Sequence, residues 1–247
     1  NDFNIKRTLK NKIDWLFLKS MQGSVLLEKN NRIGRILFFH PKGNSLPSSL
    51  LQNLVKAFET AEDDPDIGVI ILESEGNAFC AGASLTELKG VKTLEEGTAF
   101  FMGFADLLNT IRKMSKFVLA SVHGKVVGGG VGLVSACDYA FATDTASLKL
   151  SELSIGLGPY VIEPAVSRKI GSTAFAQLSL DSTRWKSAQW GLQKGLYAEC
   201  VADQEALDRL PPDHRRDGFR LFLRDAEILD RLIVGILVPQ RVEDKVE

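Results

Sequence analysis

The sequence predicts an α/β fold of largely parallel strands, followed by a helical C-terminal part. Three observations carry this. Short continuous apolar runs such as Gly68–Leu72 have the length of strands buried on both faces. Such runs alternate with stretches of helical periodicity from Ser24 to about residue 160. Beyond Glu163 the periodicity is helical, interrupted by Pro211-Pro212.

The elements follow in order. Residues 1–22 form an amphipathic basic extension, in which Ile5, Leu9, Ile13, Leu16 and Phe17 recur at helical spacing among Lys6, Arg7, Lys10, Lys12 and Lys19. A targeting peptide has this basic, acid-poor character; the expected state is a terminal helix lying on the body or on a neighbouring subunit. Val25–Glu28 and Ile33–Phe39 read as paired strands with a turn at Asn30–Asn31. His40-Pro41-Lys42-Gly43-Asn44 breaks the pattern, and Pro47 opens a helix to about Glu62, with Leu50, Leu51, Leu54, Val55 and Phe58 inward. After the strand at Gly68–Leu72, a helix around Leu94–Met114 leads into the strand Phe117–Val122. A helix around Gly130–Cys137 then leads into Tyr139–Ala142, with a further strand near Ser147–Leu150.

Composition narrows the function. The 247 residues, 45% hydrophobic and 25% charged, can bury a full core, and a net charge of −1 supplies no global field for nucleic acid or an anionic membrane. No apolar run approaches the roughly 20 residues of a membrane span. Cys80, Cys137 and Cys200 form no CxxC pair, which speaks against disulfides or structural zinc and suits a reducing compartment, hence a cytoplasmic expectation. His40, His123 and His214 are too scattered for a metal site, so no metal is expected.

Two glycine-rich turns stand out. Asn77-Ala78-Phe79-Cys80-Ala81-Gly82-Ala83-Ser84-Leu85 follows the buried strand and precedes a helix at Ser84–Leu88. Its small residues admit a ligand to the backbone, and a turn feeding a helix presents N–H groups to a developing negative charge. His123-Gly124-Lys125-Val126-Val127-Gly128-Gly129-Gly130-Val131-Gly132 again joins strand to helix. It is not GxGxxG at a first βα turn and lacks the Lys-Ser/Thr ending of a P-loop. Each turn alone also fits simple tight packing of helix on strand.

Together, in this order and at this distance, the two turns resemble the signature segments of the crotonase (enoyl-CoA hydratase/isomerase) superfamily. Phe79–Leu85 is similar to the first oxyanion-hole motif and Gly128-Gly129-Gly130, with Cys137-Asp138 closing the helix, to the second. The resemblance covers roughly residues 24–200. It implies a crotonase-type ββα spiral core over residues 23–185 and a helical C-terminal region over 186–247 that walls the acyl pocket and makes oligomer contacts. Such proteins are usually trimers or pairs of trimers. It also implies an acyl-CoA thioester as substrate, with no cofactor beyond the coenzyme A it carries. The N–H groups of Ala83 and Gly129 would form the oxyanion hole, and Ala81, Gly82, Leu85, Gly128 and Gly132 would lie against the substrate.

The matching carboxylate is Glu152, in Leu150-Ser151-Glu152-Leu153-Ser154-Ile155-Gly156-Leu157-Gly158, similar to the second of the two glutamates of the family's hydratases. The first would fall two residues after the glycine triplet, where this chain has Gly132. One carboxylate suffices for a 3-enoyl to 2-enoyl isomerisation. A bacterial branch associated with methylglutaconyl-type hydration also lacks the first glutamate, so both chemistries stay open. So do thioester hydrolysis or decarboxylation on the same oxyanion hole, and a non-catalytic member of the fold that binds RNA. A structural role is expected for Asp138 and His123, core or subunit contacts for Trp185 and Trp190, and simple burial for Cys80.

Overall fold

The computed structural model describes residues 23–207; the basic extension at 1–22 and residues 208–247, with Pro211-Pro212, lie outside the described residues. Strands β1 (Ser24–Asn30) and β2 (Ile33–Phe39) pair antiparallel. The turn between them is Asn31–Arg32, one residue later than expected, with Asn31 at φ +55°, a value asparagine tolerates well. A two-residue strand β3 (Ser45–Leu46) precedes helix α1 (Ser48–Asp63), whose buried face carries Leu50, Leu51, Leu54 and Phe58. Pro47 is the N-cap rather than the first helical residue. Then come β4 (Val69–Ser74), β5 (Ala78–Cys80), β6 (Gly82–Ala83), the short α2 (Leu85–Leu88) and the long α3 (Leu94–Lys113). A capping box opens α3: Thr93 Oγ1 accepts from the Glu96 amide, and the Glu96 carboxylate accepts from the Thr93 amide.

The next unit is β7 (Phe117–Val122), β8 (Lys125–Val127) and α4 (Gly129–Ala136). Every residue of α4 is buried, as its apolar composition on all sides requires. It is followed by β9 (Tyr139–Thr143), β10 (Ser147–Lys149), a 3₁₀ turn at Glu152–Ile155, α5 (Glu163–Ile170) and α6 (Ser172–Leu180). Last are β11 (Lys186–Ser187), α7 (Ala188–Gln193) and β12 (Glu199–Val201).

The topology is a spiral of ββα units. The first strand of each unit joins a six-stranded sheet of order β1-β2-β4-β7-β9-β12, parallel beyond the first pair. From three successive units, the second strand joins a four-stranded sheet of order β11-β10-β8-β5. A third pair, β3 with β6, is parallel. The core runs between the large sheet and the helices, through Ile36, Phe38, Ile70, Leu72, Val118 and Ala120 on the strands and Leu54, Phe58, Leu107 and Val134 on the helices. Each such side chain taken from water is worth about 1.5–3 kcal/mol for the larger ones.

Beyond Glu163 the described chain is mainly helical, but β11 and β12 add strands that periodicity did not reveal. β12 extends the large sheet by pairing with β9, so the expected boundary at 185/186 falls within the compact unit, which runs to Leu207. These strands of two and three residues are too short for alternation to register.

Candidate active site

The first glycine turn is held from below by a residue that reads in the sequence only as a break. Asn44 is buried at φ +58°. Its side-chain amide donates to the carbonyls of Glu75 (2.6 Å) and Ala78 (2.7 Å), and its Oδ1 accepts from the His40 amide at 2.7 Å. The Ala81 amide donates to the Gly43 carbonyl at 3.1 Å, so both ends of the turn are fixed to one loop. Ser84 then caps α2, accepting from the Glu87 amide at 3.3 Å. Glu87 in turn accepts from the amide and hydroxyl of Ser48, each at 2.9 Å, which ties the turn to the start of α1.

Gly82 brings the two turns together. At φ +83°, a Cβ there would stand 2.8 Å from the Val127 carbonyl oxygen and 3.1 Å from the Gly129 nitrogen. Only a bare backbone permits that approach. Ala83 follows directly, and Gly129 is the first residue of α4, whose N–H has no acceptor within its own helix. The two amides expected to form the oxyanion hole therefore lie on adjoining turns.

Glu152, the first residue of the 3₁₀ turn, packs against the second glycine turn. Gly128 holds φ +53°, and a Cβ on it would lie 2.7 Å from Glu152 Oε1. The carboxylate thus rests against the Cα that precedes the Gly129 amide. The Gly128 amide is itself anchored on the Lys149 carbonyl at 2.9 Å. Burial raises the proton affinity of Glu152 above the ordinary carboxylate range, and hydrogen bonds from the Glu152 and Ser151 amides offset this only in part. Its Oε2 is buried without a hydrogen-bond partner among the described residues. A carboxylate short of partners is a stronger base than one that is solvated or paired.

These residues open onto one cavity of about 300 Å³. Ala81, Gly82, Ala83, Leu85, Gly128, Gly129 and Glu152 all line it. The remaining wall is mostly apolar, from Leu88, Phe100, Phe101, Phe104, Ile155, Leu157, Val161 and Ile162, with Lys149 and Ser151 beside Glu152. Glu152 is the only carboxylate lining it among the described residues.

Gly132, expected to lie against the substrate, does not line this cavity. It is buried one helical turn behind Gly128, and a Cβ there would fall 2.5 Å from Ile162 Cγ2 and 3.5 Å from Leu108 Cδ1. Ile162 fills that space and presents its own side to the cavity. The position that could have carried a second carboxylate is covered by a hydrocarbon wall.

The other candidates have structural roles. Asp138 accepts from the Val118 amide at 2.8 Å, and Lys169 bonds the carbonyls of Cys137 and Asp138, closing the junction of α4 with β9. His123 Nε2 bonds the Gly76 carbonyl at 2.9 Å. Burial pushes the Cys80 thiol up to about 12, so it is no nucleophile. Trp190 packs against the core, whereas Trp185 is 42% exposed beneath the ammonium groups of Lys125 and Lys149. No group of three or more metal-ligating side chains occurs among the described residues, and no described helix is long and apolar enough to cross a membrane. Asn44, Lys149 and Ile162 were not singled out from the sequence. Only Asn44 left a signal there, as an asparagine following glycine in a segment that must turn.

Residues 28–210 match the family described as Enoyl-CoA hydratase/isomerase. The chain belongs to the enoyl-CoA hydratase/isomerase family, within the crotonase superfamily. An enoyl-CoA hydratase of Alternaria alternata is 30% identical over 184 residues, 74% of this chain and 60% of that protein. Among solved structures, an enoyl-CoA hydratase of Mycobacterium smegmatis superposes with a TM-score of 0.72 at 29% identity, covering 76% of this chain and 73% of the other. The AtuE protein of Pseudomonas aeruginosa gives 0.75 at 26% identity, covering 85% and 91%. The chain spans about three fifths of the length of the Alternaria hydratases it matches.

Proposed function

We propose that this chain stabilises the enolate of an enoyl-CoA thioester and moves its proton with Glu152 alone, converting a 3-enoyl into a 2-enoyl thioester. The observation that carries this is the Glu152 carboxylate, buried, partly unpartnered and resting on Gly128 next to the first amide of α4. Coenzyme A enters as part of the substrate.

The energetics require both parts of the site. A pKa gap on the order of 15 units between a carboxylic acid and a thioester α-carbon corresponds to roughly 20 kcal/mol. A base alone cannot bridge that. Each oxyanion-hole donor supplies about 3 kcal/mol, and a positioned base about a hundredfold or more in rate. In the proposed cycle the Glu152 carboxylate takes a proton from the α-carbon and the electron pair moves onto the thioester oxygen. The amides of Ala83 and Gly129 hold that charge. The carboxylic acid then returns the proton to the γ-carbon, and the double bond settles between the α- and β-carbons. Nothing is consumed and Glu152 ends as it began.

Ile162 over Gly132 favours isomerisation over hydration. Water addition needs a group that holds and activates the water at the β-carbon, and hydrocarbon occupies the place from which a second carboxylate would do so. By family likeness we infer a trimer or pair of trimers, and from the three cysteines without a CxxC pair a reducing compartment such as the cytoplasm.

The test incubates the protein in deuterated water with 3-hexenoyl-CoA and crotonyl-CoA, alongside Glu152→Gln, with products followed by NMR and mass. Glu152-dependent migration of the double bond, with deuterium at the exchanged carbons, is the expected result. Hydration of crotonyl-CoA would make the chain a hydratase. No turnover and no α-exchange in protein that binds thioesters would leave a binding module, and a salt-sensitive affinity for RNA above that for acyl-CoA would name its ligand.

A further inference from the structure

We propose that Phe104 and Ile162 close the inner end of the acyl site and restrict it to short, apolar-ended acyl chains, about four to six carbons long. The inference rests on the reading of the cavity as a thioester site with the thioester oxygen at the Ala83 and Gly129 amides.

The cavity has a mouth and a blind end. Leu85 and Ile155 line it and are 52% and 50% exposed, so they stand at the rim. Phe104 and Ile162 line it too, yet each is only 4% exposed, which puts them at its deepest part. Both back onto α4. A Cβ on Gly129 would lie 2.5 Å from Phe104 Cε1, so the edge of that ring rests on the Cα of the second oxyanion residue. A Cβ on Gly132 would lie 2.5 Å from Ile162 Cγ2 and 3.5 Å from Leu108 Cδ1.

A stripe on α3 marks where the space stops. Phe100, Phe104 and Leu108 recur every four residues and are buried on one face of that helix. Phe100 and Phe104 line the cavity; Leu108, one turn further along, does not, and neither does Gly132. Ile162 fills the step between the cavity and these two residues. From Gly129 to Gly132 the helix rises about 4.5 Å, the reach of roughly three or four carbon–carbon bonds beyond the thioester carbon. A chain ending there meets only hydrocarbon from Phe100, Phe104 and Ile162, so a polar terminus would be left without a partner. A longer chain must displace a packed side chain, and close-packed interiors resist that.

Calorimetry on the whole chain with butanoyl-, hexanoyl-, octanoyl- and decanoyl-CoA measures the depth, because saturated thioesters bind without isomerising. Each methylene that finds room to be buried strengthens binding by about fourfold. The expected wild-type affinity climbs at that rate to hexanoyl-CoA and then levels or falls, decanoyl-CoA binding no tighter than hexanoyl-CoA. Ile162→Ala opens the cavity toward Gly132 and Leu108 and should carry the climb on to octanoyl-CoA. Ile162→Val keeps a methyl group against Gly132 and should leave the break at hexanoyl-CoA. Melting curves show which variants fold; should Ile162→Ala melt early, Phe104→Leu, with a smaller side chain at the same end, reads the same shift. An affinity that climbs unbroken to decanoyl-CoA in the wild type would overturn the inference. So would a break that stays at hexanoyl-CoA in both Ile162→Ala and Phe104→Leu, since another part of the wall would then set it. Failure to bind any of the four thioesters would overturn the inference together with the reading of the cavity as a thioester site. A break that moves in the variants, in a protein that leaves 3-hexenoyl-CoA unchanged, would uphold the inference and sink only the proton-transfer reading.

Discussion

Replacing Glu152 with glutamine should abolish proton transfer while leaving the protein at least as stable at neutral pH. The two halves have one cause. The carboxylate is desolvated and its Oε2 has no partner among the described residues, so in the folded chain it holds a proton more tightly than a carboxylate in water, whose reference pKa is 4.5. Between that reference and the raised folded value, the folded state binds more protons than the unfolded state. Stability therefore falls as pH rises through this window, and above it the ionised group is a standing cost. Each unit of upward displacement costs about 1.4 kcal/mol. Glutamine carries no charge and escapes this cost. Urea titrations of wild type and Glu152→Gln over a pH series should show the variant equal or ahead at pH 7, with its advantage shrinking as pH drops toward the reference value. Turnover should fall by about a hundredfold to ten-thousandfold. Wild-type activity should rise with pH through the same raised pKa, because the reaction needs the base form. A variant clearly less stable than wild type at pH 7 would refute the reasoning: Glu152 would then be an anchor of its turn, and lost activity would say nothing about its chemistry.

Three further outcomes follow from the geometry. Gly128→Ala, which would drive a Cβ to 2.7 Å from Glu152 Oε1 at φ +53°, should cut turnover by about a hundredfold or more through displacement of the base, seen as a fall in kcat with thioester affinity largely kept. Asn44→Ala leaves two carbonyls and one amide without their partner and should cost roughly 3–5 kcal/mol in a denaturant titration, with Asn44→Asp also destabilised because it loses both amide donors. Of the three cysteines, Cys80 and Cys137 are buried with thiols pushed up to about 12, so a thiol reagent should label no more than Cys200 in the native protein and all three only after unfolding.

What the sequence made legible and what it hid divide along a physical line. Runs long enough to show a period were readable: Ile33–Phe39 and Phe117–Val122 are strands over the residues expected, and the helix ends fall within a residue or two. The two glycine turns were readable because each answers a local demand, an abrupt strand-to-helix junction. The strands β3, β5, β6 and β8 were not, since two or three residues owe their extended form to a neighbouring strand rather than to their own pattern. Asn44 was opaque for a related reason: its partners, Glu75 and Ala78, lie far along the chain, and nothing local marks a side chain that satisfies three backbone groups.

Gly132 shows most clearly why a site residue cannot be read from its place in a motif alone. In the sequence it is a departure from the family's hydratase pattern, a glycine where the first glutamate would stand. In the fold it is half of a fitted pair, because Ile162, reached only after β9, β10 and the loop bearing Glu152, occupies the volume that any side chain at 132 would need. Restoring an acid at 132 alone would force it against the Ile162 methyl rather than into the cavity. Gly132 and Ile162 together give the cavity a hydrocarbon wall, with Glu152 the only carboxylate lining it among the described residues. The wall of the cavity at this point is thus set as much by Ile162 as by the glycine beneath it.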